Sequence, residues 1–400
     1  MTTSYKPNAI GPLHGMRVVD MTRLAAGNML SHMLADFGAD VIKIERPGTG
    51  DDLRRFGEDE SWWKVYARSK RSMSLDIRSE EGLEVLTKLI KSADILCENF
   101  VPGTLEKWGL GPEVLLGHND KLIIVRISGW GQSGPYKNKP GFGSLIEGMS
   151  GLAAMTGWSD RPPLLPPLAL ADMIAGLAGF GGVLSAVIAR QNGSAKGQVV
   201  DLSLFEPLFS ILGPMAAEYN ATGKVAERKG NSTDVAAPRN VYPTKDGKYV
   251  AMSASMQSMW EKLADAIGRP ELVKDPRFES SEARIANADV LDSFIANVMA
   301  TRTLQENLDY YDDSGVTVGP IYDISDLIDH PYIRGREVLQ YFEYQGAGDV
   351  PMHHTFPRLS DTPGSVRAPA PTVGEHNAEI LHELGYSEAQ QRTLAKKGIF

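Results

Sequence analysis

The chain has 400 residues, of which 42% are hydrophobic and 23% charged, and its 41 basic and 50 acidic residues give a formal net charge of −9. These values are typical of a folded protein of two or three domains. They argue against a disordered chain and against a nucleic-acid partner, because phosphate binding needs concentrated lysine and arginine. Cys97 is the single cysteine, so no internal disulfide can form and a reducing, cytoplasmic location is expected.

The first part of the chain alternates short apolar segments with amphipathic ones. This alternation, with short connections, predicts a parallel sheet covered by helices on both faces, an α/β fold of Rossmann-like type. Ser79 is of a residue type that caps helix N-termini. The predicted strands are 16–20, 41–45, 95–100 and 121–127, and the predicted helices are 27–37 and the segment that follows Ser79.

The middle of the chain is strongly apolar. From Pro162 to Ala189 the only charged residue is Asp172. Several prolines open this stretch, and a carboxylate in the middle of a bilayer is costly, so a buried helix at 173–188 is favoured over a membrane span. Its glycines allow close approach of neighbouring backbones. A further apolar helix is predicted at 203–220, and we expect no membrane partner.

The character of the chain changes near Thr222. Residues 242–252 predict a hairpin turning at Asp246 and Gly247, and two helices and a C-terminal helix follow. We expect 1–224 to form the N-terminal part of a large domain and 225–330 a smaller α+β domain. The remainder, 331–400, is expected to complete the large domain. The predicted helices are 259–267, 291–299 and 377–384.

Common nucleotide and metal motifs are missing or lack their structural context. The segment from Gly129 to Gly134 fits G-x-G-x-x-G, but Pro135 follows and no helix begins there to receive a pyrophosphate. No P-loop, nucleophile elbow or zinc motif is found, and the pair His353 and His354 is interpreted as surface imidazoles. Nicotinamide, flavin, ATP and metal sites are therefore not expected.

The isolation of Asp172 needs a physical reason. An unpaired carboxylate in an apolar setting is costly unless it is hydrogen-bonded or functional. One interpretation is a helix N-cap, and another is a catalytic nucleophile that the helix N-terminus keeps anionic. The two roles are compatible.

Several motifs follow one another along almost the whole chain. They are 15–20, 34–48, 70–76, 98–103, 128–135, 171–172, 198–201, 275–278 and 315–320. In this order and spacing the chain resembles the family III CoA-transferases of the CaiB/BaiF type, the group of formyl-CoA transferase and carnitine CoA-transferase.

This resemblance implies an enzyme that moves CoA from an acyl-CoA donor to a small free carboxylic acid. Asp172 would attack the donor thioester and form a mixed anhydride. The CoA thiolate would then give an aspartyl-CoA thioester, and the second acid would take over the CoA through a second anhydride. No metal and no tightly bound cofactor is implied, since CoA and acyl-CoA are substrates. The family also implies an interlocked homodimer, with the active site between the two domains.

The resemblance assigns a set of CoA-binding positions. An arginine lies near the adenosine end, a leucine and an arginine line the nucleotide groove, an Asn-Phe pair lies near adenine, and a lysine contacts phosphate. These residues are Arg46, Leu75, Arg78, Asn99, Phe100 and Lys107. Segment 41–78 holds nine basic and seven acidic residues against the acidic whole, and we expect this local excess of cations to attract the CoA phosphates.

The chain departs from its relatives around the acyl pocket. Phe142 and Gly143 stand where α-methylacyl-CoA racemases, which share the fold, have a His-Asp acid/base pair. A racemase-like enzyme is therefore kept only as an alternative, as is a non-catalytic acyl-CoA-binding protein. Gly143 also replaces an acidic residue common in the transferases.

Two further departures concern the acid pair. Ala25 replaces a glutamine of formyl-CoA transferase, and 253–257 replaces a glycine-rich loop over its active site. Both departures argue against formate and oxalate as the two acids of the reaction. A bulkier acid pair that includes a dicarboxylate is a hypothesis. Arg23 and Glu147 are predicted near the pocket, where Arg23 is a candidate partner for a distal carboxylate. Whether 253–257 acts as a lid is left open.

Overall fold

The computed structural model describes residues 2–344 and 346–400. They form two compact units. The first comprises the residues up to Ala153, Leu165–Thr222 and Arg336–Phe400, and the second comprises Ala154–Leu164 and Gly223–Gly335.

The first unit contains a six-stranded parallel sheet, which confirms the predicted α/β fold. Its strands are β1 (Arg17–Asp20), β2 (Asp40–Glu45), β3 (Arg71–Ser74), β4 (Ile95–Glu98), β5 (Ile123–Ser128) and β6 (Gln198–Ser203). Their order is β3-β2-β1-β4-β5-β6, and every neighbouring pair is parallel. The order reverses between β1 and β4, and open α/β sheets bind ligands at such a point, beyond the carboxyl ends of the strands.

Helices accompany the strands in chain order. They are α1 (Leu24–Asp36), α2 (Ser61–Tyr66), α3 (Glu80–Lys91), α4 (Thr104–Lys107), α5 (Pro112–His118), α6 (Gly143–Met149), α7 (Leu152–Met155), α8 (Leu170–Gln191), α9 (Phe205–Ser210) and α10 (Met215–Thr222). A short 3₁₀ helix spans Asp52–Arg55. Ser79 caps α3, as predicted, by accepting a hydrogen bond from the amide of Gly82.

Alternate residues of the sheet pack into two cores on its two faces. In β1, Val18 belongs to the core beneath α1 and α8, whereas Val19 belongs to the core beneath α3. Helices α1 and α8 lie close together because α8 has glycines at the contact. A Cβ on Gly176 would lie 2.6 Å from the side chain of Met29, and one on Gly179 would lie 2.6 Å from that of Leu202.

The middle of the chain differs from the prediction in two respects. Helix α8 is buried along one stripe only, since Leu177 and Ile188 are exposed. It is long and apolar enough to span a membrane by length and composition, with 39% of its apolar window buried. The single helix predicted at 203–220 was also wrong. Residues 198–203 pair with β5, and the segment that follows is broken at Gly213, whose φ is +76°, and at the proline after it.

The second unit has its own sheet and core. Strands β7 (Arg239–Pro243) and β8 (Tyr249–Ser253) form the predicted hairpin, and β9 (Val318–Pro320) pairs with β8. A 3₁₀ helix spans Pro270–Lys274. The α-helices are α11 (Gln257–Ala266), α12 (Ser281–Ala286), α13 (Ala288–Met299), α14 (Leu304–Asp313), α15 (Ile324–Leu327) and α16 (Pro331–Gly335). Their core is built around Trp260 and Phe278.

The last segment of the chain packs with the first unit. Strands β10 (Leu339–Tyr344) and β11 (Gly348–His353) form an antiparallel hairpin, and helices α17 (Asn377–Glu383) and α18 (Glu388–Lys396) follow. Asn377 accepts a hydrogen bond from the amide of Ser74 in β3. The interpretation of His353 as a surface residue was wrong, because Arg68 donates to its Nδ1 atom and its ring packs edge-on against buried His32.

A buried charge network lies under the carboxyl ends of β1 and β2. Lys43 is 2.9 Å from Asp51 and 3.3 Å from Asp20, and Lys70 is 3.4 Å from Asp20. All four side chains are almost completely buried. Burial by itself would raise the pKa of Asp20, but the two lysines and hydrogen bonds from Ser31 and a threonine lower it below its ordinary value. The network is therefore stable only as an ionised set.

This burial removes four members from the cation cluster expected in 41–78. Lys43 and Lys70 belong to the buried network. Arg54 pairs with Glu45 at 2.7 Å, and Arg68 with Asp36 at 2.6 Å, both inside the protein. These four cations are neutralised and out of contact with solvent, so they cannot steer a charged ligand.

Candidate functional site

Asp172 opens onto a cavity of about 550 Å³ beyond the carboxyl ends of the central strands. Its walls come from the loops after β1, β4 and β5, from the segment before α6, and from the first turn of α8. The lining residues used below are Arg23, Arg78, Asn99, Phe100, Ser128, Lys137, Lys139, Phe142 and Asp172. The cavity thus lies at the reversal of strand order, where the fold itself leaves a crevice.

A second cavity, of about 270 Å³, lies beyond the carboxyl end of β2. Four of the predicted CoA-binding residues line it: Arg46, Leu75, Arg78 and Phe100. Residues shared by both cavities join them into one groove, and these are Arg23, Arg78, Phe100 and Trp108. The groove runs from Arg46 to Asp172, and an extended ligand can lie along it.

Asp172 is the third residue of α8, and the N-cap is Ala169, which makes no side-chain cap. The N-cap interpretation was therefore wrong. The position on the first turn of the helix does not make the carboxylate more acidic than an ordinary aspartate. Burial first, and the nearby charge of Glu147 second, raise the pKa of Asp172 to about 6, although the amide of Ala26 works in the opposite direction.

Gly143 and Glu147 border this carboxylate from α6. A Cβ on Gly143 would lie 2.5 Å from Oδ2 of Asp172 and 3.8 Å from Oε1 of Glu147. Glu147 is 2% exposed, and its Oε1 atom accepts a hydrogen bond from the amide of Ala171 at 3.2 Å. The carboxylate of Asp172 thus occupies the space that a side chain at position 143 would fill. Phe142, just before α6, is 66% exposed at the cavity wall.

The loop after β1 presents Arg23 to the groove. Its backbone exchanges two hydrogen bonds with the side chain of Asn99, at 2.9 and 2.8 Å, and its guanidinium lies 3.3 Å from Asp52. The next residue, Leu24, has φ +60°, a strained conformation for a branched residue. Its amide donates to Asp51 at 3.0 Å, so the buried charge network holds this loop in place. Ala25 follows, buried in the first turn of α1.

One predicted CoA-binding residue lies outside both cavities. Lys107 is exposed on α4 and lines neither of them. Segment 253–257 belongs to the second unit.

The sequence analysis missed the basic loop before α6. Lys137 and Lys139 line the wall of the cavity. The loop folds back on the end of β5 because two glycines meet there: a Cβ on Gly129 would lie 2.4 Å from the Cα of Gly141. Ser128 was missed too, and its hydroxyl is buried at the cavity wall without a hydrogen-bond partner. The glycine spacing was a usable signal for the loop, whereas nothing in the sequence marks Ser128.

The described part of the chain contains no group of three or more His, Cys, Asp or Glu side chains that could hold a metal ion. The chemistry available in the cavity at Asp172 is that of one partly desolvated carboxylate, several cations and an aromatic surface. That set suits nucleophilic attack by an oxygen on a bound anionic substrate.

We expect Gly143→Ala to reduce turnover about 10- to 100-fold, because the added methyl group pushes the Asp172 carboxylate from its position and displacements of about 1 Å have this effect. Binding of a ligand along the rest of the groove should change little. Gly148→Ala is the matched control, since it lies in the same helix and its Cβ would meet nothing within 4 Å. Equal kcat values for the two variants would contradict this account of Gly143.

Comparison with known proteins gives a consistent result. The sequence model of CoA-transferase family III matches residues 13–377. Succinyl-CoA–D-citramalate CoA-transferase of Chloroflexus aurantiacus is 39% identical, over 97% of this chain and 98% of its own length. The β subunit of succinyl-CoA–L-malate CoA-transferase from the same organism is 37% identical, over 97% and 98%. The crystal structure of a CaiB/BaiF family protein from Brucella suis superposes with a TM-score of 0.83, at 34% identity, over 94% of this chain and 100% of that one.

Proposed function

The chain belongs to CoA-transferase family III, and we propose that it transfers CoA from an acyl-CoA donor to a dicarboxylic acid with Asp172 as the covalent nucleophile. The observation that carries the proposal is the position of Asp172. Its carboxylate lies at the inner end of the groove, on the first turn of α8, and the groove continues to Arg46. The adenosine end of CoA would lie near Arg46 and Leu75, and its thioester near Asp172.

The reaction would exchange acyl bonds without a net proton or electron. The Asp172 carboxylate attacks the thioester carbonyl and the C–S bond breaks. CoA leaves as a thiolate, and the acyl group and Asp172 form a mixed anhydride. The thiolate attacks the aspartyl carbonyl, and the first acid leaves as a carboxylate. The acceptor carboxylate then displaces the thiolate to give a second anhydride, and thiolate attack on the acceptor carbonyl frees Asp172.

The raised pKa of Asp172 suits this role. With a pKa of about 6, the group is mostly ionised at pH 7, so the attacking form predominates. It is also more basic than an ordinary aspartate, and basic oxygen nucleophiles attack carbonyl carbon more readily. Burial is the largest cause of the raised pKa, and the same burial limits access of water, which would hydrolyse an anhydride.

Two observations support a dicarboxylate as the acid. Both relatives described above are named for succinyl-CoA and for citramalate or malate, which are dicarboxylic acids. Arg23, Lys137 and Lys139 line the same cavity as Asp172. Because one carboxylate of the acceptor must react, a cation is needed for the second one, and these side chains are the candidates.

Trapping the covalent intermediate tests the function. The protein is incubated with succinyl-CoA and then with hydroxylamine, which converts an activated aspartyl group to a hydroxamate. We expect the mass change on the peptide that contains Asp172. Formation of new CoA esters is followed in parallel, with malate compared with butyrate, a monocarboxylate of similar length. Absence of both the adduct and any new ester would contradict the transferase proposal, whereas equal use of butyrate would contradict only the dicarboxylate.

A further inference from the structure

We propose that Glu147 is a positioning residue of the transfer reaction: anchored to the first turn of α8, its carboxylate directs Asp172 toward the cavity and strengthens it as a nucleophile. This inference rests on the proposed function, because it concerns the attack of Asp172 on a thioester. It gives a role to a buried acidic group that the transfer steps themselves do not use.

The anchoring of Glu147 follows from the way α8 begins. Ala169 precedes the helix and has no side chain that can accept from its free amides. Glu147 replaces that cap from α6, since its Oε1 atom accepts from the amide of Ala171 at 3.2 Å. The residue is 2% exposed, so its carboxylate is held in one place by packing as well as by this hydrogen bond.

The bond to Glu147 also decides which amides Asp172 can use. The amide of Ala171 is engaged by Glu147, and that of Leu170 donates to the carbonyl of Leu168. Asp172 therefore uses neither group, and its carboxylate accepts from the amide of Ala26 and from its own amide. Its carboxylate instead occupies the space beside Gly143, where it borders the cavity.

The two carboxylates lie close together without a cation between them. Both have an oxygen within 4 Å of the point where a Cβ on Gly143 would be. Across the residues that the structure describes, neither Asp172 nor Glu147 has an ion-pair partner. A like charge at such a separation in a desolvated site disfavours ionisation of Asp172. The carboxylate that results is less stabilised than an ordinary aspartate and is a stronger nucleophile.

Other charged groups also lie around the cavity that Asp172 borders. The remaining cavity wall carries Arg23, Arg78, Lys137 and Lys139, and these cations would act in the opposite direction to Glu147. On α9, which packs against α6 and α8, Glu206 is bound to the hydroxyl of Ser203 at 2.6 Å. Burial and the charge of Glu147 together raise the pKa of Asp172 to about 6, so Glu147 is the acidic group whose removal should alter that titration.

Replacing Glu147 with glutamine tests the inference. The amide oxygen can still accept from Ala171, so α8 keeps its cap while the charge is lost. The rate of hydroxamate formation on Asp172 is measured in single turnover from pH 4.5 to 8.5 with succinyl-CoA. We expect the acidic midpoint to move below that of the unmodified chain. The variant should be slower at pH 8, because its nucleophile is weaker, and relatively faster at pH 5, because more of it is ionised.

A purely structural role for Glu147 would not move the midpoint, so identical pH profiles overturn the inference. Absence of any adduct on the unmodified chain would instead contradict the proposed function. Glu218→Gln on α10 controls for loss of one negative charge on the same unit. Glu147→Asp is the second variant if the glutamine form does not fold. This variant moves the carboxylate away from Asp172 by one methylene. Its pH midpoint is expected below that of the unmodified chain. An unchanged midpoint would count against the inference.

Discussion

Asp172→Asn is expected to lower the rate of CoA transfer by at least about 10³-fold, because an amide cannot attack a thioester and removal of a covalent nucleophile has effects of this size or larger. Affinity for CoA should stay within about threefold of the original. The groove residues toward the adenosine end, Arg46 and Leu75, are not altered by the substitution. Steady-state kinetics and titration calorimetry with CoA measure the two quantities.

The same substitution is expected to stabilise the folded chain. The pKa of Asp172 is about 6 in the folded protein against 3.8 for the free group. The folded state therefore binds more protons between these values, and the stability that the group contributes below pH 3.8 is lost as the pH rises through 6. At pH 7 the asparagine variant should be more stable by about 1 to 3 kcal/mol. Near pH 4 most of this advantage should disappear.

Thermal or urea unfolding at pH 4 and pH 7 measures this difference. Asp160→Asn, an exposed substitution in the second unit, is the matched control and should change neither activity nor stability. A variant that is inactive but less stable at pH 7 would show that Asp172 holds the structure together. Measurable transfer at more than about a tenth of the original rate would exclude the covalent route.

Asp20→Asn is expected to have the largest effect on stability, a loss of about 3 to 5 kcal/mol at pH 7, because breaking a buried ion pair leaves uncompensated charge. Asp20 is completely buried. It lies within 3.4 Å of the ammonium groups of both Lys43 and Lys70 and accepts from Ser31 at 2.5 Å. Asparagine keeps much of the shape but leaves two buried cations facing only Asp51.

The loss should be smaller at high pH. Burial lowers the pKa of Lys70 to about 8, because the attraction of Asp20 offsets only part of the effect of burial. Without Asp20, Lys70 releases its proton more readily in the folded state than in the unfolded one, so stability rises with pH toward 10.5. Urea unfolding at pH 7 and pH 9 measures the change. The control is Asp120→Asn, which removes an exposed partner of Lys196 and is expected to leave the free energy of unfolding almost unchanged. Equal effects of the two substitutions would show that the buried network contributes little.

The network also connects stability to the site. Asp51 accepts from the amide of Leu24 at 3.0 Å and from the side chain of Asn28 at 2.9 Å. Leu24 is the strained residue at the start of α1, next to Arg23 in the groove. Such a conformation persists only where its surroundings fix it. Asp51 of the buried charge network supplies that support. The network therefore helps to hold the loop at Arg23 in the conformation that shapes the groove.

Local patterns were sufficient for the elements and for the main functional residue. Strand and helix periodicity predicted the parallel sheet, and short connections set its topology class. One charge in a long apolar stretch was enough to single out Asp172. Local signals were insufficient where one apolar pattern fits two structures. The apolar pattern of 203–220 predicted one helix, whereas Ser203 ends a strand that pairs with β5 and the segment after it is broken at Gly213.

The sequence by itself determined the α/β class, the family, and the prominence of Asp172, because these depend on periodicity and on motifs that are contiguous in the chain. Only the tertiary structure decided which charges are available. Lys43, Arg54, Arg68 and Lys70 pair with buried carboxylates. Glu147 accepts from the amide of Ala171, 24 residues later in the chain, and lies beside Asp172. The reason is physical: the energy of a charge depends on its distance to other charges and on its exposure to water, and both are set when distant segments pack together.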